Sequence, residues 1–297
     1  MDIKPGKTLA ILEGDLLCTY KTIKEPVYSA SLPLGEPAIM HNHDGYELLL
    51  LLGGDINFYI GGYGRRLVPG DVICIKPYDF HICEMIDVNS YDRIVINIRD
   101  HLMETYSTDM TDLTKCFTQN GAFNIAHFEG EELERFCFCA RSLQEALESD
   151  KYGADVLADT YIKQILVMVN SHIDEDPAEQ KRSISLMPEL VSSTIRYIDR
   201  HITDDITAES IAEHLHHNST YVSRCFKKFA GISLQTYILN KKISLAQRYL
   251  KDQNMPGDVC FQVGFHNYSN FSRTFTKYTG MSPKKYQQKY APEVYIP

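Results

Sequence analysis

The stretch TYVSRCFKKFAGISLQTY, Thr220 to Tyr237, returns 49 residues later as SNFSRTFTKYTGMSPKKY, Ser269 to Tyr286. The two align without a gap, and seven of the 18 positions are identical: Ser223/Ser272, Arg224/Arg273, Phe226/Phe275, Lys228/Lys277, Gly231/Gly280, Ser233/Ser282 and Tyr237/Tyr286. Each copy reads as a helix with a polar and basic face, stopped at a glycine and restarted from a serine cap. A shorter helix candidate precedes each. Before the first copy, ITAESIAEHLHH offers Thr207 as N-cap and Ile211, Ala212 and Leu215 at helical spacing. Before the second, MPGDVCFQVGF carries Val259, Cys260 and Val263, then Gly264 at the turn. A short helix, a tight turn and a longer basic helix make a helix-turn-helix unit, and the chain has two.

Between them, SLQTYILNKKISLAQRYLK, Ser233 to Lys251, predicts a helix of about 18 residues and roughly 27 Å. That length approaches the roughly 34 Å of one duplex turn, so the two longer helices can enter successive major grooves on one face of B-DNA.

Charge supports this division. Residues 186–297 hold 14 Lys and Arg against nine Asp and Glu, whereas residues 1–185 hold 16 against 30. The overall −9 therefore hides a basic final third suited to a polyanion.

Over about 100 residues, from Ile195 to Tyr290, this region resembles the C-terminal domain of the AraC/XylS family of transcription regulators. The second unit, VGFHNYSNFSRTFTKYTGMSPKKY, carries the resemblance most closely. Gln287 stands where the family usually has an arginine, and Cys260 where alanine is usual. Carried onto this chain, the resemblance implies that Thr220, Tyr221, Ser223 and Arg224 of the first unit face base edges. In the second unit Tyr268, Ser269, Ser272 and Arg273 do so. Arginine binds guanine bidentately, which makes Arg224 and Arg273 the leading specificity residues. Lys227, Lys228 and Lys277 are expected on phosphates, and Phe226, Phe229, Phe275 and Tyr278 in the core.

From Leu9 to about Ile98 the pattern changes. Short apolar runs (AIM, YELLLLL, INFYI, RRLV, VICI, RIVINI) alternate with GGD, GGYG, PGD and KPYD. Many short strands at that spacing predict an antiparallel sandwich or barrel. HNHDGYELLLLLGG, His41 to Gly54, places His41, His43 and Glu47 on one strand face by parity, and its spacing resembles the first motif of cupins. PGDVICIKPYDFH resembles the second, with Asp79 in place of the usual glycine, and brings His81. The expected metal set is His41, His43, Glu47 and His81, with Zn, Mn, Fe or Ni as candidate ions. The candidate ligand pocket comprises these residues with Tyr46 and Tyr59, whose polar-tipped rings suit a small polar molecule such as a sugar.

Two further stripes, over 131–148 and 154–172, predict an antiparallel helix pair. In the first, Leu133, Phe136, Cys137, Ala140, Leu143 and Leu147 make the apolar side. DEDPAEQKRSISLMP, Asp174 to Pro188, lacks periodicity and is expected to be a linker. The eight cysteines form no CxxC pair and read as small apolar fillers.

The expected fold is α+β in two domains. Residues 1–173 form a cupin-like β-barrel (jelly roll) with its helix pair, and residues 189–297 an all-α domain with two helix-turn-helix units. The resemblance implies a non-enzymatic regulator that binds double-stranded promoter DNA and senses a small molecule. Homodimerisation through the helix pair is expected, with RNA polymerase a further candidate partner. A metal-dependent cupin enzyme with an appended DNA-binding domain is the alternative. No apolar run approaches the roughly 20 residues of a membrane span, and a cytoplasmic location is expected.

Overall fold

The computed structural model describes residues 9–10, 15–21, 39–86, 91–119, 123–173 and 186–290. Most of the expected linker, residues 174–185, lies outside the described residues. The chain divides into two compact units. One comprises most of the N-terminal part up to Met187, and the other runs from Pro188 onward together with Leu9–Ala10 and Ile39–Asn42.

In the first unit β2 (Leu16–Lys21), β4 (Gly45–Gly54), β7 (Asp71–Ile75), β9 (Tyr91–Arg99) and β10 (Asn124–His127) form an antiparallel sheet of order β10-β7-β4-β9-β2. A second sheet, of order β6-β5-β8, contains β5 (Ile56–Ile60), β6 (Tyr63–Leu67) and β8 (His81–Met85). A third pairing joins β1 (Leu9–Ala10) to β3 (Asn42–His43). Among the described residues the five- and three-stranded sheets are not hydrogen-bonded into a closed barrel.

The five consecutive leucines are explained by the position of β4. It is the central strand of the larger sheet, and both of its faces are covered. Leu48 and Leu50 point to one side, with Val72, Cys74, Ile94 and Ile96. That side is covered by α3 (Gly130–Leu147) and α4 (Ala154–His172) through Phe136, Leu143, Ile162 and Ile165. Leu49 and Leu51 point to the other side and pack with Ile56, Phe58 and Ile60 of the smaller sheet. A strand covered on both faces has no solvent side on which to place polar residues. The short helices α1 (Asp100–Tyr106) and α2 (Lys115–Thr118) close the helical side with Met103, Cys116 and Phe117.

The expected stripe on α3 is narrower than its sequence implied. Leu133 and Cys137 are half-buried and Leu147 is exposed, because α4 covers only the sector centred on Phe136, Ala140 and Leu143.

The second unit is helical among its described residues from Pro188 onward: α5 (Glu189–His201), α6 (Ala208–His214), α7 (Ser219–Ala230), α8 (Leu234–Lys251), α9 (Pro256–Gln262), α10 (Tyr268–Thr279) and α11 (Pro283–Tyr290). Thr207 caps α6 through a reciprocal pair with Ser210. Asn218 caps α7 and Asn267 caps α10, each accepting backbone N–H bonds from the first turn. Gly231 and Gly280 end those two helices in the left-handed region, at φ 71° and 80°. The repeat read from the sequence is thus also a repeat of start and stop signals. Ile243, Ala246 and Leu250 of α8 pack with Val259, Cys260, Phe271, Phe275 and Tyr286 in the core around the second helix-turn-helix. Among the described residues no helix is long and apolar enough to cross a membrane.

Candidate nucleic-acid interface and buried histidine site

α7 and α10 present matching surfaces. Thr220, Tyr221, Arg224, Lys227 and Lys228 are exposed on α7, at spacings of three and four residues, and Ser223 is half-buried beside them. On α10 Ser269, Arg273 and Lys277 are exposed at the equivalent places, with Tyr268 exposed and Ser272 half-buried. The opposite side of each helix holds it to the unit: Val222 and Phe226 on α7, Phe271 and Phe275 on α10, all buried. Phe229 and Tyr278 are only half-buried, at the edge of the core.

Both arginines are braced from one turn back. The Arg224 guanidinium lies 5.6 Å from the centre of the Tyr221 ring, and Arg273 Nη2 donates to Asn270 Oδ1 at 3.3 Å. Asn270 occupies in α10 the place that Tyr221 holds in α7. The sequence reading passed over it, although the alignment of the two copies pairs these positions. Thr276, opposite Lys227 in that alignment, is likewise exposed.

Neither departure from the family pattern reaches this surface. Cys260 is fully buried, and Gln287 Nε2 donates to the Asn254 carbonyl at 2.8 Å.

The second site lies between the sheets. His43, Glu47 and His81 are buried, and one ligand atom from each falls within 4.8 Å of the others. His43 and Glu47 share a face by strand parity, the same face that carries Leu49 and Leu51. His81 opens β8, with its ring stacked on Phe58 at 5.7 Å and edge-on to His43 at 5.2 Å. The loop before β8 is tied to this place because Tyr78 N–H donates to the His43 carbonyl at 2.8 Å.

Orientation of all three groups is fixed from behind. Nδ1 of His43 meets the Gly45 carbonyl at 2.7 Å, and Nδ1 of His81 meets the Asp79 carbonyl at 3.0 Å. A carbonyl oxygen can only accept, so Nδ1 carries the proton and Nε2 is the basic nitrogen of each neutral ring. Asn97 Nδ2 donates to Glu47 Oε2 at 2.7 Å, and His43 Nε2 lies 3.1 Å from the same oxygen. Burial disfavours charge on His43, but the Glu47 carboxylate outweighs it and holds the imidazole pKa above its ordinary value. Burial also works against the Glu47 carboxylate, yet His43 and His81 together with the Asn97 bond hold it well below the usual range.

The other expected residues of this set stand apart. β3 begins only at Asn42, and the chain bends at Asp44, whose carboxylate accepts from Arg99 Nη1 at 2.5 Å. His41 precedes that extended pair, its Nδ1 meets the Ile39 carbonyl at 3.0 Å, and it is not in the cluster. Tyr46 points to the helical side of β4 and packs on Phe117 at 4.6 Å. Tyr59 lies on the face of β5 opposite Phe58 and donates its hydroxyl to Glu84 at 2.6 Å.

Residues 37–166 match the AraC-like ligand binding domain, and residues 211–289 match a helix-turn-helix domain. A third match, of residues 120–227 to the ELMO armadillo-like helical domain, crosses from one compact unit into the other and describes no single folded unit here. The chain is 38% identical over 96 residues to the uncharacterized HTH-type transcriptional regulator YobQ of Bacillus subtilis, covering 32% of this chain and 40% of that one. It is 34% identical over 113 residues to the bifunctional transcriptional activator/DNA repair enzyme AdaA of the same organism, covering 38% and 52%. These matches span about half or less of the relatives' own length. The melibiose operon regulatory protein of Escherichia coli is 27% identical over 260 residues, covering 84% of this chain and 83% of its own. Among solved structures, ToxT from Vibrio cholerae aligns over 93% of this chain and 98% of its own, at 14% identity and a TM-score of 0.36. Ligand-binding and helix-turn-helix matches follow one another along the sequence on separate folded units, so the chain carries an AraC-like ligand-binding domain followed by a helix-turn-helix domain.

Proposed function

We propose that the chain is a sequence-specific, DNA-binding transcription regulator whose strand-rich unit senses a small molecule. The observation that carries this is the pair of matching exposed stripes on α7 and α10, each with a braced arginine at the same helical position. A polar effector, with a sugar as first choice, is supported by the similarity to the melibiose operon regulatory protein. The effector controls DNA binding to the extent that its affinity differs between DNA-competent and incompetent states. A second copy of the chain and RNA polymerase complete the proposed partners. Selection of binding duplexes from random DNA with the full chain gives the probe. Arg224→Ala and Arg273→Ala are expected each to lose about 1–3 kcal/mol of discrimination at one base position. Unchanged sequence preference in both variants would remove the assignment.

The buried cluster supports a divalent transition metal as cofactor. Two imidazoles and a carboxylate are a donor set suited to Zn, Mn, Fe or Ni, and each donor already has the outer hydrogen bond that such ligands use. His43, Glu47 and His81 would hold the ion, which would supply Lewis acidity and open positions for an oxygen-bearing effector. Metal analysis of the purified chain is expected to give about one ion per chain, lost in His81→Ala. Absence of metal after zinc loading and dialysis would reject this part of the proposal. The rival reading, a metal-dependent enzyme, requires turnover of a substrate in addition.

A further inference from the structure

Lys242 is the one lysine of α8 whose whole side chain is withdrawn from solvent, at 7% exposure. Its Nζ donates to the Asp204 carbonyl and to the Gly264 carbonyl, both at 3.0 Å. Asp204 lies in the turn leading into α6, the first helix of the first helix-turn-helix. Gly264 lies in the turn between α9 and α10, inside the second. One ammonium group on the connecting helix therefore joins the backbones of both units.

Two other observations place the same seam under constraint. Gly264 sits at φ 76°, and a Cβ there would come within 2.6 Å of both Lys242 Nζ and the Thr203 carbonyl oxygen. The 203–204 turn, the Gly264 turn and the ammonium thus meet at van der Waals distance, closed by a residue without a side chain. Two residues along, His266 Nε2 lies 3.2 Å from Asp205 Oδ2. The first unit's entry turn and the second unit's internal turn touch along their length.

A buried charge would be replaced by an apolar side chain if the position served packing alone. Here it donates to the Gly264 carbonyl, which an apolar residue would leave without that donor, and adds a second donor to the Asp204 carbonyl, which also accepts from the Ile206 N–H at 3.1 Å.

We infer that Lys242 is a positioning residue that fixes the distance and rotation between the two recognition helices, and so sets the spacing of the two half-sites on DNA. The inference rests on the DNA-binding reading above. One base pair inserted between half-sites moves them apart by about 3.4 Å and turns one relative to the other by about 35°. A rigid pair of helices penalises that shift steeply, and a pair joined only by packed side chains follows it.

The test uses the full chain and the selected bipartite duplex, with one or two base pairs inserted or removed between the halves. The wild-type chain is expected to lose about 100-fold in affinity for a two-base-pair change, on the scale of mismatches within a site. In Lys242→Met that loss is expected to fall below about tenfold, with native-spacing affinity reduced by about three- to tenfold. Base preference within each half-site stays as in the wild type, which separates positioning from loss of contact. Lys242→Gln, which retains a donor without the charge, is measured alongside and takes over if Lys242→Met does not fold. A spacing profile as steep as the wild type's in a folded variant overturns the inference. Failure of both variants to fold overturns it too, since Lys242 then serves stability. Wild-type chain that selects no duplex refutes the DNA-binding reading itself and is distinguishable from either result.

Discussion

At the residue scale, the two helix-turn-helix units differ where they should be most alike. The turn of each passes through a left-handed residue, Gly264 in the second and His216, at φ 55°, in the first. A histidine there carries a steric cost of about 1–2 kcal/mol that glycine avoids, partly offset by the greater freedom glycine has when unfolded. His216→Gly is expected to stabilise the chain by about 0.5–1 kcal/mol in urea unfolding. Gly264→Ala is expected to cost about 1–3 kcal/mol, because strain at positive φ adds to the collision with the Thr203 carbonyl. A neutral Gly264→Ala would show that the seam around Lys242 is loose. The sequence marked Gly264 as a turn from its residue type, whereas His216 gave no such signal.

At the scale of elements, β4 sets the limits of what was legible. The strand, its length and the shared face of His43 and Glu47 follow from parity. Two-sided burial does not, since five leucines fit a buried strand or a buried helix segment equally. Lys substitution separates the cases. Both Leu50→Lys, facing α3 and α4, and Leu51→Lys, facing the smaller sheet, are expected to abolish cooperative unfolding, as burying an unpaired charge does. Tolerance at either position, read by circular dichroism and thermal melting, would contradict the two-sided packing. The site was readable to the same depth. Parity found His43 and Glu47 but did not carry to His41, which precedes the two-residue strand Asn42–His43 and turns its Nδ1 to the Ile39 carbonyl. His81 came from a motif resemblance, since no local pattern brings together residues 34 positions apart; β8 pairs with β5, which sets His81 opposite Ile60, and the smaller sheet packs on the Leu49 and Leu51 face of β4.

At the scale of the whole molecule, the basic surplus of residues 186–297 stands against the acidic excess before it. DNA affinity is therefore expected to fall steeply with salt, with a log–log slope near −0.9 per phosphate neutralised. Lys227→Ala, Lys228→Ala and Lys277→Ala are each expected to make that slope shallower by about one, with sequence preference unchanged. A lysine variant that alters preference without altering the slope would belong among the base-reading residues. Charge asymmetry, the repeat and the order of the two units were all legible in the sequence. The meeting of the 203–205 turn with the Gly264 turn was not, since the residues that make it are separated by about 60 positions and use backbone atoms, which no side-chain pattern reports.

One absence in the two recognition helices sets a vocabulary. Neither Ser219–Ala230 nor Tyr268–Thr279 contains a single aspartate or glutamate. Carboxylates are the side chains that accept from the cytosine amino group in the major groove, whereas arginine answers guanine and asparagine answers adenine. These helices therefore offer no carboxylate acceptor, and beside their charged donors carry only neutral polar groups such as hydroxyls and amides. The sites they choose are expected to carry guanine beneath Arg224 and Arg273, with cytosine never met by a carboxylate from either helix.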